Sequence, residues 1–166
     1  MKRCLVPVLF IAMAASAFAL EPQTVGSVHA TSDARDVTVT MTVSPEKEVR
    51  LWIDSEKSYA FLFSERDTLL GFVETSARKM DIAAANKTTI SYRQGVGRFA
   101  TANAALVSVF FDTKGYGVSN TVVQLTNKGS SEVLLLNQKE TQDFASLLGK
   151  AHNLVTEYNR QLILFK

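Results

Sequence analysis

The sequence predicts an α+β domain: a mainly antiparallel, curved sheet or partial barrel with one inserted helix and a long C-terminal amphipathic helix. Three observations carry that expectation. From Asp36 onward, short runs alternate apolar and polar residues with period two, the signature of strands. Two stretches, about 65–85 and from Asn137 onward, repeat apolar residues at helical spacing. Some strand runs are apolar on both faces, so a helix, a second sheet or a partner must cover the second face.

The elements follow in order. Met1-Lys2-Arg3, the apolar run Leu5 to Ala15 and the small-x-small triplet Ala17-Phe18-Ala19 are the n-, h- and cleavage regions of a secretory signal peptide, assigned to residues 1–19. The apolar run is shorter than the ~20 residues a membrane-spanning helix needs, and Glu21-Pro22 follows at once. The only cysteine, Cys4, falls inside that leader, so the mature chain is expected to carry neither thiol nor lipid. Residues 20–35 are polar and aperiodic and read as a flexible lead-in to a single domain at 36–166. Val37, Val39, Met41 and Val43 alternate with threonines as the first strand, and a hairpin, 49–53 and 59–63, follows as the second and third.

Ser64-Glu-Arg-Asp67 has the shape of a helix start, with Ser64 as the cap, and Leu69, Phe72, Val73, Ser76, Met80 and Ala83 form the stripe of the inserted helix. Period two returns from Thr88, predicting strands at 88–93, 98–102, 105–111, 118–125 and 131–136. They are separated by turn chemistry at Gly95-Val-Gly97, Asp112 to Gly117 and Asn127-Lys-Gly129. Asn137-Gln-Lys-Glu140 repeats the cap arrangement, and Phe144, Leu147, Leu148, Ala151, Val155, Tyr158 and Leu162 line the final helix. Both helices follow an apolar hairpin strand, which makes a duplicated β-β-α unit one expectation and chance likeness of two such stretches the other. In element order, many strands and a closing helix, the chain is similar to pleckstrin-homology-like barrels. The likeness stops at element order, and no site is carried over from it.

Composition excludes several function classes. The chain has 18 basic and 16 acidic residues, and the leader removes Lys2 and Arg3, leaving a mature net charge of zero. Nucleic acid is therefore not an expected partner. Without a mature cysteine there is no thiol nucleophile. The two histidines are His29, in the supposed lead-in, and His152, beside the apolar stripe of the final helix. No G-x-S-x-G elbow is present, and neither a zinc pattern nor an acidic calcium loop is found, so no catalytic residue, metal or cofactor is assigned. His29, Asp33 and Asp36 are close in sequence but read as solvated polar residues. The Asn86-Lys87-Thr88 triplet is an N-glycosylation acceptor only in a eukaryotic host.

Six residues are singled out as contacts to a ligand or partner. Arg93 and Arg98 flank Gly95-Val-Gly97, with Tyr92 and Phe99 outside them, a hairpin tip suited to an anion if not simply a solvated turn. Trp52, the only tryptophan, is out of phase with Leu51 and Ile53, either packed under a helix or exposed for recognition. Tyr116 stands between two glycines in a contact loop. The expected function is that of an exported, non-enzymatic protein of a periplasm or the extracellular space, binding a partner protein or a small apolar ligand. The alternatives are a carboxylate-dependent hydrolase of the cell envelope and a self-associating structural subunit.

Overall fold

The computed structural model describes residues 21–164, the side chains of 158, 159 and 161–164 excepted. The signal peptide expected at 1–19 and the side chains of the stripe residues Tyr158 and Leu162 lie outside that description. The elements are β1 (Gln23–Ser32), β2 (Arg35–Val43), β3 (Glu48–Ile53), β4 (Lys57–Leu62), α1 (Phe63–Ala85), β5 (Tyr92–Ala100), β6 (Leu106–Gly115), β7 (Val118–Asn127), β8 (Ser130–Leu136) and α2 (Gln138–Leu164). All eight strands join one antiparallel sheet in the order β4-β3-β2-β1-β8-β7-β6-β5. The α+β class, the curved antiparallel sheet and the C-terminal helix are as the sequence predicts; the sheet does not close into a barrel.

Three expectations change. Residues 23–32 are no lead-in but the strand β1, which lies in the middle of the sheet, and the folded body starts about 13 residues before Asp36. Its alternation was faint because the residues it buries, Val28, Ala30 and Ser32, are small or polar. A bulge between Thr24 and Gly26 also breaks its register. The first helix consequently follows the fourth strand, not the third. Gly95-Val-Gly97 is a bulge inside the single strand β5, not a turn between two strands.

Strong coiling brings distant strands together. β4 stands four places from β8 in the strand order, ~19 Å away in a flat sheet. Yet Lys57 Nζ on β4 lies 2.5 Å from Glu132 Oε2 on β8. Both helices pack on the concave face. There Leu69 and Val73 of α1 and Phe144, Leu148 and Ala151 of α2 meet Met41, Leu51, Phe61, Val109, Leu125 and Leu134 from the strands, all essentially without solvent contact.

The repeat is larger than β-β-α. Four strands and a helix occur twice, and in the helices Glu65, Leu69, Phe72 and Val73 correspond to Glu140, Phe144, Leu147 and Leu148 at a constant separation of 75 residues. Each glutamate reaches back to the residue just before its helix, Glu65 to Leu62 N–H and Glu140 to Asn137 N–H, both at 2.7 Å. The second start is a full capping box, since Asn137 Oδ1 accepts from Glu140 N–H. At the first, Leu62 has no side-chain acceptor to offer, and Ser64, the predicted cap, lies inside the helix.

Contacts between the halves are reciprocal, as in an isologous pair. Leu147 of α2 packs on Gly26, the bulge glycine of β1, while Phe72 of α1 packs on Gly97, the bulge glycine of β5. Lys57 and Glu132, themselves 75 residues apart, face one another where the halves meet.

Candidate functional site

The bulge in β5 decides where its two arginines point. Arg93 and Arg98 are five residues apart, an odd spacing that puts side chains on opposite faces of a regular strand. The extra residue between Gly95 and Gly97 restores the phase: Arg93 pairs opposite Asp112 and Arg98 opposite Ser108, four residues apart on β6. Both arginines therefore emerge on the convex face, away from the helices. Arg93 donates to Asp112 Oδ2 at 3.0 Å and lies 5.9 Å from the Phe110 ring. Arg98, with Leu106, Phe110 and the two glycines, lines a shallow basin of about 530 Å³ over β5–β7. A paired Arg93 leaves one guanidinium, not two, turned toward that basin.

Tyr92 and Phe99 take the other face. The Tyr92 ring meets Phe111 edge-on at 5.6 Å, and Phe99 lies 6.1 Å from Phe72 of α1. Trp52 is half-buried on the convex face of β3, its indole N–H donating to Thr42 Oγ1 at 3.2 Å and its ring 5.8 Å from the Arg50 guanidinium. It sits under no helix, because the helices occupy the face to which Leu51 and Ile53 turn. The six residues do not form one site: Arg93 and Arg98 share a face, Tyr92 and Tyr116 share an end of the sheet, and Trp52 stands apart on the other half.

That shared end is the most exposed apolar surface among the described residues. Tyr116 is 84% exposed at the β6–β7 turn and Ile90 is 64% exposed just ahead of β5; Tyr92 and Val118 are exposed beside them. Backbone pairing gathers them. Tyr116 N–H donates to Thr88 O at 2.8 Å, Tyr92 pairs opposite Thr113 on β6, and Gly115 pairs opposite Val118. Ile82, also exposed, lies one turn back from the end of α1 that leads into this segment. Tyr116 was legible from its glycine neighbours; Ile82, Ile90 and Val118 gave no signal, since an apolar residue in sequence looks the same whether it is covered or bare.

Two buried ionic groups also escaped the sequence. Glu132 is 1% exposed and accepts from Ser32 Oγ at 2.7 Å and from Lys57 Nζ. Burial alone would raise its carboxyl, but the bonds from Lys57 and Ser32 outweigh burial and hold it below the usual range; the Lys57 ammonium is raised in turn by its bond to Glu132. Burial also raises the Tyr59 hydroxyl beside them. Arg66, buried in the first turn of α1, stacks 4.1 Å over Phe63 and lies 2.9 Å from Asp67 Oδ1, and burial lowers its guanidinium. Charged residues carry no mark of burial in a single sequence, and long-range pairing is set by the coiling of the sheet.

Among the described residues, no group of three or more His, Cys, Asp or Glu is placed to hold a metal ion, and no helix is long and apolar enough to cross a membrane. The chain matches no family model, no curated protein and no solved structure.

Proposed function

We propose that the mature chain acts outside the cytoplasm as a binding protein that recognises a partner protein through the apolar end of β5–β7. One observation carries the reading. Of the six large hydrophobic side chains exposed among the described residues, four, namely Ile90, Tyr92, Tyr116 and Val118, belong to that end. Tyrosines set among aliphatic residues and rimmed by charge, here Arg93 and Lys114, are the composition of contact surfaces in protein complexes. Tyrosine supplies much contact area at little conformational cost, so a hairpin tip that holds Tyr116 between two positive-φ glycines is a suitable mount.

The hydrolase alternative needs two carboxylates across a cleft. Of the acids that line clefts, Glu140 and Asp143 are neighbours on one face of α2, with the Glu140 carboxylate committed to the helix cap, and Glu48 lines its clefts with no second carboxylate and is paired with Arg50.

The test is site-specific photocrosslinking in the native host, with a photoreactive phenylalanine at position 116 or 118 and, as control, at 128 in the β7–β8 turn. A defined adduct from 116 and 118, missing at 128 and abolished by Val118→Asp, is the expected outcome. An adduct of twice the chain's own mass would favour the self-associating subunit, and equal labelling at all three positions would sink the proposal.

A further inference from the structure

β1 pairs with β2 along its whole length but with β8 at one position only, Thr31 opposite Leu135. Beyond that point β8 ends at Leu136 and the chain turns into α2. The backbone groups of β1 that point away from β2 between Gln23 and Ala30 therefore have no strand partner, although β1 lies in the middle of the sheet. Along this free edge runs a cleft of about 350 Å³, with Gly26, Ser27 and His29 on the strand side and Asp143, Ser146 and Lys150 on the α2 side. Ion pairs at Asp143 and Lys150 are missing among the described residues, so the helix wall offers both signs of charge unpaired.

The other half of the molecule carries a larger side chain at the corresponding position. There Phe72 occupies the place of Leu147, and its ring lies about 2.2 Å from where a Cβ on Gly97 would be, so the ring rests flat on the bare glycine. Lys79 of α1 also reaches across to Gln94 of β5 at 3.0 Å. In the first half the smaller Leu147 stands 3.2 Å from the corresponding point on Gly26 and leaves the cleft open. At the same position of the repeat, a phenylalanine ring thus covers one bulge glycine and the smaller leucine the other.

We infer that the open cleft between β1 and α2 binds an extended peptide segment of a partner protein by strand addition. The segment runs antiparallel to β1, in line with β8. Its main chain satisfies the free edge, and its charged side chains answer Asp143 and Lys150. This site lies apart from the β5–β7 end and stands independently of it.

The repeat supplies the test. Leu147→Phe installs the ring that the other half already accommodates, and Ser146→Trp fills the cleft from an exposed helix position, so it serves if the first variant does not fold. A display library of random peptides of about twelve residues is selected on residues 20–166 and counter-selected on Leu147→Phe. Enriched peptides are expected to bind at least about tenfold more weakly to both variants. Binding should be lost when alternate peptide nitrogens are methylated, and Val118→Asp should leave it unchanged. Failure to enrich any peptide, equal binding to the plugged variants, or equal binding of the methylated peptide would each overturn the inference.

Discussion

Replacing Gly115 by alanine is expected to destabilise the fold by about 2–5 kcal/mol, measured by denaturant unfolding. Two effects add. Gly115 has φ +79, a conformation that costs an L-residue about 1–2 kcal/mol. A Cβ there would also lie 2.4 Å from Thr89 O, a backbone atom that cannot rotate away, and such crowding costs about 1–3 kcal/mol. The connection from α1 to β5 must shift, breaking the bond from Tyr116 N–H to Thr88 O that fixes Ile90 and Tyr92 beside Tyr116.

Gly117 is the control that separates the two effects. It has φ +80 and nothing within 4 Å of an added Cβ, so Gly117→Ala bears only the conformational cost, about 1–2 kcal/mol. Crosslinking from position 118 should fall in Gly115→Ala and persist in Gly117→Ala. Equal losses of stability in the two variants would show that the packing of Thr89 on Gly115 does not hold this end together.

What the sequence discloses and what it hides follow from the range of the interactions. α2 was legible because its cap, Asn137 with Glu140, and its stripe are local, and β2 because valine and methionine alternate without interruption. β1 was hidden because Ala30 and Ser32 are as buried as Val39 but do not look apolar enough to mark a face. Gly95-Val-Gly97 looked like a turn because two glycines promise one; only pairing with β6 on both sides reveals a bulge. The exposed cluster was half legible, through Tyr92 and Tyr116. The free edge of β1 was not legible at all, since it arises from where β8 stops relative to β1.

Lys57→Met is expected to lower the midpoint of thermal unfolding at pH 7 by about 5–10 °C, although Lys57 itself is half exposed. The loss falls on its partner. Glu132 remains buried with only the Ser32 hydroxyl to bond it, and a buried carboxylate deprived of its cation is among the costlier defects a fold can carry. The pH dependence identifies the cause. In the unmodified chain the Glu132 carboxyl is held below its usual range. Its contribution is therefore complete above the unfolded value of about 4.3 and is lost as pH falls through the folded value. Without Lys57, burial dominates and raises the same carboxyl, so the variant's penalty is complete at neutral pH and relaxes as Glu132 takes up a proton. The difference between the two chains should narrow steadily from pH 7 toward pH 4. It should narrow again in strong alkali, because the raised Lys57 ammonium contributes below its unfolded value of about 10.4 and loses that contribution as pH rises through the folded value. Glu132→Gln, which removes the charge, should show no such narrowing in acid relative to the double variant with Lys57→Met. A gap between Lys57→Met and the unmodified chain that stays constant from pH 4 to pH 8 would mean that the pair contributes by packing alone and that the junction of the two halves does not depend on charge.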